Sequence, residues 1–326
     1  MIGRRMVVVG LAGAFAAPLA AKAQPTDRKR HLGILSIGRP PSSEEIAQSS
    51  FHRALHALGW VEGRNLLVTR RYSAGSADKL AEMAAELARL EVDAIYAGSA
   101  VAAAAAKRAT STVPIVFVTL SDPVAQGLVA RLAQPGGNAT GVAAEPTAGK
   151  RLELLRELVP NITRVAALVN RTNPATPIGV RQIEHVAGVL RLGLKIFAIG
   201  DPSDLDQVWS AISASRPDGL VVAADPVLLA LGARIRERAG RMKLPVVYGH
   251  REDALQGGLA AFSAILDEQV ARAAGYVDRI LRGADPRQLP VQLAERFEIV
   301  INLKTAKALG LTIPASVLVR ADRVIE

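Results

Sequence analysis

Pro114-Ile115-Val116-Phe117-Val118-Thr119-Leu120 is an unbroken apolar run, followed at once by the turn-forming Ser121-Asp122-Pro123. A strand that is apolar on both faces is typical of a parallel sheet covered by helices on both sides. Just upstream, residues 93–97 read as another such strand, and Gly98-Ser99 opens an alanine-rich helix running to about Arg108. Strand, helix, strand in this order is the unit of a doubly wound α/β sheet. The reading extends in both directions.

Toward the N-terminus, residues 32–38 form an apolar strand and 44–58 a helix that stops at Gly59, a good C-cap. Residues 65–71 alternate as a strand. Residues 78–90 are helical, with Leu80, Met83, Ala84, Leu87 and Leu90 on one stripe. Toward the C-terminus, Ser121-Asp122-Pro123 is expected to cap a short helix. Gln134-Pro135-Gly136-Gly137-Asn138 is expected to turn.

A second series starts near Ala148. Its strands read 164–169, 194–199, 219–224 and 245–248, with helices at 149–158, 178–192, 203–215 and 227–242. A strand at 259–263 then leads into a long helix at 266–282, and a further strand at 297–301 is followed by short helices. Two such series predict an α/β protein of two doubly wound, Rossmann-like lobes. Lobe 1 is expected to hold residues 30–144 plus 261–288, and lobe 2 residues 145–260 plus 289–326. Residues 144–148 and returns near 258–262 and 284–291 would form a three-stranded hinge. Right-handed crossovers place the loops after the strands on one edge of each sheet, where ligands bind. If those edges face each other, the ligand lies in a cleft between the lobes.

Composition narrows the function. The 326 residues suit two domains of ordinary size. Half are hydrophobic and 21% charged, which excludes a disordered tail. Gly and Pro follow no three-residue period, so collagen is excluded. Cysteine is absent, which removes disulfide scaffolds, thiol nucleophiles and thiolate metal sites. The net charge is +10, but Lys and Arg are mixed with acids, as in Arg236-Glu237-Arg238. A solvated basic surface accounts for this better than a nucleic-acid site.

The first 23 residues read as an export signal. Gly3-Arg4-Arg5 is a positive start, residues 6–20 are uncharged and mostly apolar, and Ala21-Lys22-Ala23 is a small–x–small cleavage site. The paired arginines leave open the general and twin-arginine routes. The alternative of a dinucleotide-binding start at Gly10 and Gly13 lacks the third glycine and breaks at Pro18. The apolar run is too short to span a bilayer, and with no cysteine at the cut site no lipid anchor is expected. The mature chain is expected in the periplasm, soluble and monomeric.

Candidate site residues follow the strands. Ser36 and, within the next loop, Ser42 follow the first. Gly98, Ser99 and Ala100 lie at a helix N-terminus, where unpaired amides and the helix dipole favour a carboxylate. Ser99 reads equally well as a plain cap. Ser121 and Asp122 follow the fourth strand, and Asp122 could meet an ammonium. In the second lobe Asn170, Asp225, Tyr248, Arg251 and Glu252 occupy the matching places. Arg251 offers a planar fork for a carboxylate, Glu252 or Asp225 a partner for an amine. A local surface pair between Arg251 and Glu252 is the alternative.

No catalytic constellation is present. There is no His-Glu-x-x-His, no Gly-x-Ser-x-Gly elbow and no Walker loop. His52 and His56 lie on one helix face without a strong third metal ligand. No cofactor, no metal and no enzymatic activity are expected.

Five stretches carry a resemblance: Leu58-Gly59-Trp60-Val61-Glu62-Gly63-Arg64-Asn65, Ser121-Asp122-Pro123-Val124, Gln134-Pro135-Gly136-Gly137-Asn138-Ala139-Thr140-Gly141, Tyr276-Val277-Asp278-Arg279-Ile280-Leu281-Arg282-Gly283 and the run from Phe297 to Gly310. With these the chain resembles a bacterial ABC transporter substrate-binding protein family whose characterised members bind aromatic amino acids. The resemblance implies a periplasmic-binding-protein type I fold, and delivery of a small solute to an ABC permease with its ATPase. Gln134 stands where the family often has arginine. Ala261-Phe262-Ser263 replaces the family's Ser-Tyr-Gly, so a tyrosine hydroxyl near the hinge is missing.

The expected function is capture of a small carboxylate-bearing solute, an amino acid or aromatic acid, for an ABC permease. A periplasmic sensory subunit of the same fold is the alternative. A hydrolase lacks a nucleophile–base pair, and a repressor lacks a helix-turn-helix where the export signal stands.

Overall fold

The computed structural model describes residues 28–144, 147–294 and 296–326. The expected export signal lies outside them. In chain order the first half comprises β1 (Arg30–Ser36), α1 (Ser43–Gln48), α2 (Ser50–Ala57), β2 (Leu66–Tyr72), α3 (Ala77–Arg89), β3 (Ala94–Ala97), α4 (Ala100–Ala109), β4 (Ile115–Thr119) and β5 (Ala139–Ala143). The second half begins with α5 (Ala148–Leu158), β6 (Arg164–Asn170), α6 (Thr176–Val189), β7 (Gly193–Ile199), α7 (Leu205–Ser215) and β8 (Gly219–Val222). It continues with α8 (Pro226–Ala230), α9 (Gly232–Arg241), β9 (Val246–Tyr248), α10 (Arg251–Leu255) and β10 (Ala260–Ala264). Then follow α11 (Leu266–Leu281), β11 (Gln292–Leu293), β12 (Phe297–Asn302), α12 (Leu303–Ala308), α13 (Ala315–Arg320) and β13 (Arg323–Ile325).

The strands form two sheets. One has six strands in the order β11-β5-β4-β3-β1-β2, the other seven in the order β13-β12-β10-β9-β8-β6-β7. All pairings between these strands are parallel except β10 with β12. This is the expected α/β architecture of two doubly wound lobes. The apolar run that opened the reading is β4, fully buried and central in lobe 1.

Each sheet is covered on both faces because its strands present apolar side chains on both. In lobe 1, Leu32, Tyr96, Val116 and Val142 meet α2 and α11 on one face. Leu35, Ile95, Ile115 and Phe117 meet α3 and α4 on the other.

The chain changes sheet between β5 and α5, between β10 and α11, and between β11 and β12. The last two passages lie beyond the expected 258–262 and 284–291. Gly257-Gly258 turns the chain into β10, which pairs with β9 and β12, so residues 260–264 belong to lobe 2 and not to a return at 258–262. Likewise β11 adds an edge to lobe 1 through β5, although residues 289–293 had been assigned to lobe 2.

Other differences are local. Ser49 ends α1 and caps α2, so the helix expected at 44–58 is broken in two. The helix expected at 227–242 breaks at Leu231. Residues 122–127 make turns instead of a helix. Strand β5 was not anticipated. It contains Gly141 at φ 154°, opposite Phe117 of β4. A Cβ on Gly141 would stand 2.1 Å from the Phe117 carbonyl oxygen, so only glycine permits this approach.

Candidate ligand-binding site

The loop edges of the two sheets face each other across a narrow gap. Lobe 1 contributes Gly98, Ser99, Ala100, Leu120 and Ser121 to its walls. Lobe 2 contributes Thr147, Arg151, Asn173, Ala224, Asp225 and His250. The space consists of two adjoining parts of about 60 Å³ each, which share Leu120, Asn173, Ala175 and Ala224. The lobes also touch at their rims. A Cβ on Gly75, after β2, would lie 3.3 Å from Pro202 Cγ, after β7. The arrangement is closed.

Arg151 dominates the electrostatics. Its Nη1 donates to Thr147 Oγ1 at 2.6 Å and to the Phe262 carbonyl at 3.3 Å. Its Nε has no partner, and among the described residues no carboxylate forms an ion pair with it. The residue is 4% exposed. Burial pushes the guanidinium pKa down to about 10, which still leaves it charged at neutral pH. A buried cation without a counter-ion is costly, so such groups are normally paired.

Two further buried polar atoms lack partners around the same gap. They are Ser121 Oγ and His250 Nε2. Burial lowers the His250 pKa, which favours the neutral ring. In the neutral ring Nε2 can accept a hydrogen bond. Gly249 makes this placement possible. A Cβ there would come within 2.3 Å of Ala224 N, so the loops after β8 and β9 can press together only without one.

The anticipated residues divide into two groups. Gly98, Ser99, Ala100, Ser121 and Asp225 line the gap. Ser99 caps α4, its Oγ accepting from Ala102 N at 3.2 Å. Asp225 is not open to an amine: Oδ1 accepts from Val227 N at 2.8 Å and Leu228 N at 3.2 Å, and Oδ2 from Asn173 Nδ2 at 2.7 Å. Asn170 Nδ2 lies 3.2 Å from both oxygens, so Asn170 holds Asp225 and is itself buried behind it.

The remaining candidates lie elsewhere. Tyr248 points into the lobe 2 core and is 1% exposed, because β9 is buried on both faces. Arg251 is already held by carboxylates. Its Nη2 donates to Asp267 at 2.6 Å, Nη1 lies 3.5 Å from Glu298, and Nε lies 3.4 Å from Glu252. This knot ties lobe 2 to the start of α11 in lobe 1, so Arg251 and Glu252 are structural. Asp122 is exposed and accepts from Val124 N and Ala125 N in its own turn. Ser42 is the exposed cap of α1, in a capping box with Glu45. Ser36 Oγ accepts from Gly38 N at 3.1 Å and faces a separate cavity inside lobe 1.

Arg151 was missed, yet a signal existed. Ala148, Arg151, Leu155 and Leu158 fall at helical spacing on the buried stripe of α5. A cation on an apolar stripe needs a reason.

Among the described residues, no cluster of His, Asp or Glu could hold a metal, and no helix is long and apolar enough to cross a membrane.

Two α/β lobes closed around a gap are the architecture of the periplasmic-binding type I fold. Residues 33–325 match the ABC transporter substrate binding protein family, and the chain belongs to that family. It is therefore a binding protein and not an enzyme. It is 26% identical over 284 residues to a tyrosine-binding protein of Clostridioides difficile (strain R20291), covering 87% of this chain and 82% of that one. It also resembles the crystal structure of an ABC domain from Streptococcus pneumonia in complex with L-Trp. There the TM-score is 0.84 and the identity 25%, with 91% of this chain and all of the other covered. A conserved domain protein from Vibrio cholerae gives a TM-score of 0.85 at 26% identity, over 91% and 100% of the two chains.

Proposed function

We propose that the protein captures a small solute carrying a carboxylate in the interlobe gap and delivers it to an ABC permease from the periplasm. The observation that carries this reading is Arg151, a buried cation facing the gap without a counter-ion among the described residues. A ligand carboxylate supplies the missing charge and accepts from Nε. Ser121 Oγ and His250 Nε2 are placed to complete the polar contacts, His250 accepting from an N–H or O–H of the solute. The relatives bearing tyrosine and L-Trp in their descriptions support an amino acid or aromatic acid. Binding across both lobes favours the closed form, which is the form a permease can distinguish from the empty one.

Calorimetric titration with amino acids, aromatic acids and the amide of each compound tests the reading. At least one acid should bind saturably and its amide should not. Equal binding of acid and amide would remove the role given to Arg151, and silence across the whole panel would remove the proposal.

A further inference from the structure

Lobe 1 contains a second cavity, larger than the interlobe gap, between α1–α2 and the face of β1, β2 and β3. Its volume is about 290 Å³. Protein interiors are normally packed as tightly as organic crystals, and an apolar cavity of about 150 Å³ is enough to hold benzene. The space is partly open at its mouth and roomy enough for a small aromatic molecule.

Its floor is apolar and its walls are aromatic. Ile34 and Val68 form the floor, and Phe51, Trp60, Tyr72 and Tyr96 surround it. Phe51 and Tyr96 stack at 3.9 Å between ring centroids, which fixes one wall. The rim is polar and its carboxylates are paired: Arg70 donates two hydrogen bonds to the two Glu62 oxygens, at 2.7 and 2.6 Å, and Glu45 accepts from Arg39. These pairings leave no free carboxylate or guanidinium among the described lining residues to attract an ion. Tyr72 and Tyr96 both line the cavity, with no hydrogen-bond partner for either hydroxyl among the described residues. Over the cavity, α1 buries none of its own residues, although Ile46 faces inward. With Pro41 just before it, it borders the mouth of the cavity through Glu45 and Ile46.

We infer that this cavity is a second binding site, for a neutral aromatic molecule of one or two rings carrying a hydroxyl or similar polar substituent. The rings supply contact area of matching geometry, and the tyrosine hydroxyls take the substituent. The site is distinct from the interlobe gap, since its cation is already neutralised and it lies wholly inside lobe 1. The two spaces meet only at Gly98, which belongs to the walls of both.

The probe is 4-bromophenol, titrated into the full chain carrying Trp209→Phe, so that emission comes from Trp60, the other of the two tryptophans. Saturable quenching of Trp60 is expected. Val68→Phe fills the floor and should lose the response, whereas Arg151→Gln, which disables the interlobe gap, should keep it. In crystals soaked with the same compound the bromine should appear between α2 and β1–β2. The inference is overturned by absence of saturation at millimolar concentration, by a folded Val68→Phe variant that binds as before, by loss of the response in Arg151→Gln, or by bromine found in the interlobe gap. If Val68→Phe does not fold, the bromine position decides. A failed carboxylate titration would leave this result untouched.

Discussion

Arg151 Nη1 lies 2.6 Å from Thr147 Oγ1, and this neutral hydroxyl is the nearest thing to a counter-ion the guanidinium has within its own lobe. Holding a charge this way costs stability in the empty protein and stabilises a complex with an anion. Arg151→Met should therefore raise the stability of the ligand-free chain, by about 1 kcal/mol. It should also weaken carboxylate binding by roughly thirtyfold or more. Thermal unfolding with and without solute measures both. A destabilised variant that still binds would contradict the assignment.

Gly75 tests closure. It has φ +93° and meets Pro202 across the rim. Gly75→Ala places a methyl against Pro202 in a backbone conformation that costs an alanine about 1 kcal/mol. The open form should gain population, seen as a larger radius of gyration by small-angle scattering and weaker solute binding. An unchanged scattering profile would place the closing contact elsewhere.

Gly141 tests the sheet. Gly141→Ala drives a Cβ into the backbone of Phe117, so β4 and β5 must separate. A loss on the order of 3 kcal/mol is expected in urea unfolding. A loss below half of that would mean that the strands adjust without parting.

Asp218 gives a pH dependence with a definite sign. It accepts from Arg164 Nη2, from Thr163 N and Oγ1, and from Arg164 N, so it joins the starts of β6 and β8. The hydrogen bond from Arg164 and those from the backbone hold its pKa well below the usual carboxylate range. Because the folded pKa is lowered, the stabilisation is complete above the unfolded pKa of about 4 and is lost as pH falls toward the folded value. Asp218→Asn should therefore cost about 1–2 kcal/mol at pH 7 and progressively less below about pH 4. A gap between variant and wild type that stays constant with pH would refute the linkage.

The fold was legible because β4 and its neighbours are apolar on both faces and alternate with helices, a pattern that local composition records directly. Strand β5 was not, because Ala139-Thr140-Gly141-Val142-Ala143 is short and contains a glycine whose purpose is a backbone contact with a strand many residues away. Apart from Ser121, the motifs that carried the family resemblance hold the architecture together. Trp60 Nε1 donates to Asp278 Oδ1 at 2.8 Å, and Arg282 donates to the same oxygen at 2.6 Å and lies 5.5 Å from the Trp60 ring centroid. Two of the quoted stretches thus dock on each other. Asn138 Nδ2 donates to the Thr110 and Val113 carbonyls, and Asn302 caps α12.

The site was half legible. Ser99, Ser121 and Asp225 follow from the rule that ligands meet the carboxyl ends of parallel strands. Arg251 and Glu252 satisfy the same rule but are consumed by Asp267 and Glu298, residues distant in sequence. Arg151 escaped that rule because it comes from a helix and not from a strand end. That no described carboxylate pairs with it is a property of the folded chain.

Helix α11 seals one face of lobe 1, with Ala273, Tyr276, Val277 and Ile280 against Leu32, Val116 and Val142. Yet strands β6 to β10 of lobe 2 all precede it in the chain. A nascent polypeptide ending anywhere before residue 266 therefore carries the sheet of lobe 1 with one face covered by α2 but not by α11, and with its edge strand β11 unmade. Lobe 2 waits in the same way for β12 and β13. Neither half can mature on its own during synthesis, and a ribosome-bound first half is a natural client for chaperones until almost the whole chain has emerged.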